Sequence, residues 1–377
     1  MDDPLKLEVK PVVERERLTD RELFKRKVAI SRFKRRVFQH VWIARGILLA
    51  IILIVLGAAL FLGIKALGKT SVGYYAELAK NFITTPSGVV PEIDGRTNIL
   101  ILGKAGAGQD SPDITDTMLL VSISSVDRKV SLISIPRDIW VPDLRAKINA
   151  SYYYGKQKGE GSYLAGIILA KSTVEEIMGV PIQYGVVINF SGFEGVIDEL
   201  GGIDITVDKS FVDSEFPIPG KEADSCSGDP TFACRYQTVK FDAGLTHMDG
   251  ATALKFVRSR HAQGDEGSDL ARALRQQKVI KAIIQKALSP QVFLNISKVN
   301  ALVAIANSSL ETDISFDRLA IIGRWLVDAR DNIASHSIPE EFLYNPPISV
   351  KYDRQFVFLP KKGDWSDLQN WVKQNLP

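Results

Sequence analysis

The stretch TNILILGKAGAGQDSPDITDTMLLVSISSVDRKVSLISI, residues 97–135, decides the fold. Thr97 to Leu102 is an apolar run of the length and composition of a buried strand, closed by Gly103. Met118 to Ser124 and Lys129 to Ile135 read as two more strands, joined by a hairpin-like turn over Ser125-Val126-Asp127-Arg128. Downstream, the period changes repeatedly. Ser162 to Met178 reads as a helix, Tyr184 to Ile188 as a strand, Phe193 to Leu200 as a helix and Ile203 to Val207 as a strand. Asp269 to Leu288 is a long helix whose buried side is Leu270, Leu274, Val279, Ile280, Ile283 and Ile284. Helices over Val299 to Ser308 and Ser315 to Ile333 follow, then a strand and a capping helix with Trp365 and Trp371. Strands broken by helices in this way predict an α/β fold, with a mixed central sheet covered by helices on both faces as an α/β/α sandwich.

The N-terminal part has a different character. Gly46 to Ile64 (GILLAIILIVLGAALFLGI) runs 19 residues without a charge, about what a helix needs to cross a bilayer. Residues 1–45 hold 13 Lys and Arg against 7 Asp and Glu, so the positive-inside bias sets the N-terminus in the cytoplasm and everything after Lys69 outside. A cleaved signal peptide is the competing reading, but the basic segment ahead of the apolar run is too long for one. The organisation expected is a basic cytoplasmic segment (1–45), a transmembrane helix (46–67), a linker (68–96), a catalytic domain (97–290) and a C-terminal extension packed on it (291–377). The basic segment, interleaved with Phe24, Phe33, Phe38 and Trp42, suits contact with anionic lipid, and no nucleic acid is expected as a partner. Cys226 and Cys234, the only cysteines, share a Pro, Gly and Asp-rich loop, where an oxidising exterior favours a disulfide. Neither His247 nor His261 is spaced to complete a zinc site with them.

Charge concentrates at the strand ends. Arg258-Ser259-Arg260-His261 follows Leu254 to Val257, which reads as a strand and would send both arginines from one face. Ser268 is a candidate N-cap for the next helix, on which Asp269, Arg272, Arg275 and Gln276 follow. Planar guanidinium forks gathered in one place suit a diphosphate, while a solvated basic face with local ion pairs is the alternative. Asp110, Asp113 and Asp116 stand at the entrance of the second strand, with the oxygen chemistry of a Mg²⁺ site or of a plain acidic turn. The third strand ends in Arg137-Asp138, and Lys147 follows. The loop Gly103 to Asp110 is not a nucleotide-binding loop: it lacks the Gly-Lys-Ser/Thr ending, and Pro112 falls where a helix would start.

Taken in order, TDTMLLVSIS, VSLISIPRDIWV, KINASYYYG, VVINFSGFEGVIDELGGIDITV and HMDGATALKFVRSRHAQGDEGSDLARALRQQ resemble the LytR-CpsA-Psr family over residues 97–290. The resemblance implies a membrane-anchored extracytoplasmic phosphotransferase. It moves a glycan phosphate from a polyprenyl-pyrophosphate carrier to a cell-wall acceptor such as peptidoglycan. It also implies pyrophosphate binding by Arg137, Arg258, Arg260, Arg272 and Gln276, Mg²⁺ on Asp116, and Asp269 orienting arginines, with Arg275 a weaker member. Two positions depart from the family pattern: Lys104 stands where an Asp is usual, and Ile114 where an Arg is usual. Asp110 or Asp113 would have to replace the missing carboxylate. Asp138 or Asp116 is a candidate to take the acceptor's proton. A polyprenyl-phosphate binder without turnover, or a pyrophosphatase using water, would draw on the same residues.

Overall fold

The computed structural model describes residues 87–107 and 111–376. The predicted span at 46–67 and Asp110 lie outside them; among the described residues no helix is long and apolar enough to cross a membrane.

Three strands match the opening stretch: β1 (Arg96–Lys104), β2 (Thr115–Ser124) and β3 (Lys129–Ser134), paired antiparallel in sequence order. Helices α1 (Ser151–Lys158) and α2 (Tyr163–Met178) then form a hairpin so close that a Cβ on Gly166 would lie 2.7 Å from the Tyr152 ring. Next come β4 (Tyr184–Asn189), parallel to β1, and α3 (Phe190–Leu200), capped by the Asn189 side chain on the Gly192 N–H. A second layer follows, with strands β5 (Ile203–Val207), β6 (Phe211–Pro217), β7 (Tyr236–Phe241) and β8 (Gly244–Met248) and helices α4 (Gly250–Arg258) and α5 (Asp269–Ala287). The C-terminal part supplies α6 (Ile296–Ser309), β9 (Leu310–Thr312), α7 (Phe316–Ala329), β10 (Ile333–Ser337) and α8 (Ser366–Asn375).

The main sheet has the order β9-β4-β1-β2-β3-β10 and is mixed, with β1/β4 and β3/β10 parallel and the other pairs antiparallel. Strand alternation divides its residues between two cores. Leu100, Leu102 and Leu120 pack with Ile167, Val174 and Ile177 of α2 on one face, and Ile99, Val121 and Leu132 with Ile321 and Trp325 of α7 on the other. A third core joins Phe211, Phe241 and Phe256 between the small strands and α3–α5.

Two expectations need correction. Leu254 to Val257 is helical, part of α4, because Asp249 caps the Thr252 N–H and the spacing of Ala253, Phe256 and Val257 puts them together on a buried helical face. A four-residue apolar run does not distinguish the two periods. The helix expected over Ser315 to Ile333 stops at Ala329, and Ile333 opens β10. Residues beyond 290 accordingly supply both edge strands of the main sheet.

Candidate active site

The site lies where the ends of β2 and β3 meet the ends of α4 and α5. Asp116 is the second residue of β2, with its side chain 55% exposed. The buried Thr115 beside it donates to the Asn149 carbonyl (3.0 Å), and Asn149 Nδ2 lies 3.4 Å from Asp116 Oδ1. Arg137, after β3, donates from Nη1 to that oxygen at 2.6 Å. Its Nε is buried without a hydrogen bond among the described residues, the nearest acid being Asp138 Oδ2 at 3.6 Å. Burial works against the Arg137 charge, but Asp116, Asp138 and Asp269 outweigh it and hold the guanidinium above its ordinary pKa.

Arg258 closes α4 and lies over the rings of Phe190 (4.3 Å) and Phe216 (5.5 Å). Ser268 accepts from the Ala271 N–H and starts α5, whose Arg272 pairs with Asp269 at 2.7 Å. Burial lowers the pKa of both Arg258 and Arg272, against the partial compensation of Asp116 and Glu222 for the first and Asp269 for the second. Guanidinium groups stay charged in proteins, so these are partly buried cations, and Arg258 has no ion pair to a described residue, a setting that favours an anion.

Two cavities share one wall. The first, of about 300 Å³, is largely apolar, with Met118, Ile135, Leu270, Ile338, Leu343 and Phe358 among its lining. The second, of about 400 Å³, holds Arg258, Arg260, Asp213 and Glu222. Asp116, Arg137, Arg272 and Gln276 line both. Asp138 and Asp269 face only the apolar chamber.

Other predicted residues take different places. Arg275 is 4% exposed and turned away from the site. It donates to the carbonyls of Phe256 (3.0 Å), Ser259 (2.5 Å) and Glu266 (2.9 Å) and pairs with the Glu266 carboxylate, tying α5 to the end of α4. Lys147 lines neither cavity; it pairs with Asp138 at 2.6 Å. Asp113 is not available to a metal, because it pairs with Lys104 (3.0 Å) and Lys156 (2.8 Å). Those pairs hold its carboxyl below the ordinary range although burial pushes the other way. Lys104, 6% exposed, also pairs with Glu311 of β9, which accepts from the Tyr152 hydroxyl. The lysine at the altered family position is thus spent inside the protein.

Among the described residues no three acidic side chains converge at Asp116. Its Oδ1 is engaged, and no hydrogen bond from a described residue reaches Oδ2. That donor set fits a Mg²⁺ that takes one protein carboxylate and completes its octahedron with phosphate oxygens and water.

The residue that sequence reading missed is Asp213 of β6, 1% exposed. It accepts from the Ser259 hydroxyl (2.6 Å) and from the N–H groups of Arg260 (3.0 Å), His261 (3.2 Å) and Glu215 (3.0 Å). It fixes the turn that carries Arg258 and Arg260. Cys226 and Cys234 are joined as a disulfide in the loop between β6 and β7.

A family model described as the LytR_cpsA_psr family matches residues 67–373. A polyisoprenyl-teichoic acid–peptidoglycan teichoic acid transferase TagU of Oceanobacillus iheyensis is 32% identical over 244 residues, 64% of this chain and 66% of that protein. The TagU of Bacillus mycoides is 26% identical over 59% of this chain and 62% of that protein. The match spans just under two thirds of each relative's length. Among solved structures, B. subtilis TagV superimposes with a TM-score of 0.53 at 24% identity, covering 76% of this chain and 98% of that one. TagT bound to LI-WTA does so with a TM-score of 0.51 at 23% identity, covering 76% and 94%.

Proposed function

This chain belongs to the LytR-CpsA-Psr family, and we propose that it is a membrane-anchored extracytoplasmic phosphotransferase, moving a glycan phosphate from a polyprenyl-pyrophosphate carrier to a cell-wall acceptor such as peptidoglycan. The observation that carries the reading is the wall of guanidinium groups shared by two cavities, the first richer in aliphatic side chains and the second in charged ones. A lipid-linked diphosphate has the matching character: a hydrocarbon tail, two charged phosphoryl groups and a sugar. The apolar chamber suits the start of the tail, and Arg137, Arg258, Arg260, Arg272 and Gln276 suit the phosphoryl oxygens. The uncharged run at 46–64 and the basic excess before it support a single span with the N-terminus inside.

The chemistry follows from charge. Arg137 and Arg272 face both chambers, so they bear on the bridging region of the diphosphate, where negative charge grows as the P–O bond breaks. Asp116 and Asp269 aim Arg137 and Arg272, and the Phe190 ring lies 4.3 Å beneath the Arg258 guanidinium. When bound at Asp116, Mg²⁺ supplies further positive charge at the phosphoryl oxygens.

The test uses full-length protein in phospholipid nanodiscs, with a polyprenyl-pyrophosphate glycan radiolabelled in the sugar and isolated peptidoglycan. Label is expected to become covalently attached to peptidoglycan, and Arg258→Ala to abolish donor binding. Arg258→Lys is expected not to restore it, since an ammonium lacks the fork and stacks poorly on Phe190. Release of free phosphorylated glycan with no attachment would replace the transferase by a hydrolase. Donor binding without either product would leave a binder, and donor binding unchanged in Arg258→Ala would remove the site assignment.

A further inference from the structure

We infer that Glu222, carried by the disulfide-stapled loop between β6 and β7, is the carboxylate that receives the acceptor hydroxyl in the polar chamber; this rests on the transferase reading above. An attacking hydroxyl must lose its proton, and the chamber offers three carboxylates to take it: Asp116, Asp213 and Glu222. Asp116 is held by Arg137 and Asn149. Asp213 is buried, and its carboxylate is already taken up by four hydrogen bonds from Ser259, Arg260, His261 and Glu215. Glu222 is half-buried and has no hydrogen bond or ion pair to another described residue, although its charge acts on Arg258. Of the chamber's acids it is the one with both oxygens open to a ligand.

The loop that holds it is built to be fixed. Residues 218–235 leave and re-enter the β6/β7 pair, closed by the hydrogen bond from Ile218 N–H to the Arg235 carbonyl (2.8 Å). The Cys226–Cys234 bond ties its outer half, and Arg235 stacks on Phe232 (4.0 Å) while donating to the Asp224 carbonyl (2.8 Å). Glu222 is the residue of this braced loop that lines the chamber.

The step balances as follows. The acceptor oxygen forms a bond to the phosphorus that bears the glycan, and its proton passes to the Glu222 carboxylate. The bond from that phosphorus to the bridging oxygen breaks, and polyprenyl monophosphate leaves with the electron pair, held by the arginines.

Full-length wild type, Glu222→Gln, Glu222→Asp and the double variant Cys226→Ser with Cys234→Ser are compared in the nanodisc assay, with transfer and donor binding measured separately. Glu222→Gln is expected to lower kcat about 100-fold or more, the usual size of a general-base contribution, while donor Kd stays equal or tightens. Glu222→Asp should keep part of the rate. The double serine variant should lose rate in the same direction, again without loss of donor binding. Glu222→Gln with a wild-type kcat overturns the inference, as does a loss of donor binding that accounts for the loss of transfer. A wild type that attaches no label to peptidoglycan overturns the function itself, a result distinct from active wild type beside active Glu222→Gln.

Discussion

Asp213 holds the site together from inside. Burial alone would raise its pKa, yet the Ser259 hydroxyl and the N–H groups of His261, Glu215 and Arg260 outweigh burial and lower it below the ordinary 3.8. A carboxyl depressed in the folded state contributes stability that is fully present above its unfolded pKa, and that contribution is lost as pH falls through the folded value. Asp213→Asn should therefore cost about 1–3 kcal/mol at pH 7, the usual range for bonds to a buried charged group. The gap to wild type should narrow once pH drops below 3.8. Urea midpoints at pH 7 and pH 3 measure it, and a gap that does not change with pH would show that the charge is not what matters. The sequence held a sign of this role. In Phe211-Val212-Asp213-Ser214 the acid occupies the apolar side of an alternating strand, buried like Phe211 while Val212 and Ser214 are exposed. A buried acid on a core-facing position requires partners, but nothing local says that they lie 46 residues on at Ser259.

At the scale of the helix, α5 shows how little a shared element says about shared purpose. Arg272 and Arg275 are three residues apart, close enough in sequence to expect both on one flank, yet the one faces both cavities and the other is sealed against α4. Removing Arg275 strands three carbonyls and the Glu266 carboxylate, so Arg275→Ala should destabilise by about 3–5 kcal/mol. Arg272→Ala removes a cation that burial already disfavours, so its denaturant midpoint should stay near wild type while donor affinity falls about tenfold or more. Midpoints and donor titrations on the two variants separate the roles, and the same pattern for both would undo the assignment. The helix itself was legible, because Ser268 and Asp269 open it, but its buried side was not: Leu270 and Leu274, expected there, are exposed, and Val279 is the apolar position that is fully buried. The orientation of each arginine was not, since it depends on where α4 ends, and α4 has only nine residues and an apolar run that fits either period.

Across the whole molecule, the main sheet closes only with chain from its far end. β1 to β4 were readable as strands because each is a run of Ile, Leu and Val bounded by turns. The edge strands were not: β9 is three residues long, and β10 reads Ile333-Ala334-Ser335-His336-Ser337, with one large apolar residue. Each is a strand because of its neighbour, β4 for one and β3 for the other, and sequence pattern does not carry such non-local pairing. These residues do more than finish the sheet. Glu311 of β9 neutralises Lys104, the His336 carbonyl of β10 accepts from Gln277 of α5 at 2.6 Å, and Ile338 and Leu343 line the apolar chamber. α7 covers much of one face through Ile321, Ile322 and Trp325, beside Ile280 and Ile284 of α5. A chain ending at Leu288 should thus bare that face, leave Lys104 buried against Asp113 alone, and open one side of the apolar chamber. It is expected to lack a cooperative thermal transition, to bind a hydrophobic dye strongly and to bind no lipid-linked diphosphate. A truncated chain that melts cooperatively and still titrates with donor would mean that residues after 290 are an appendage and that the site is complete without them.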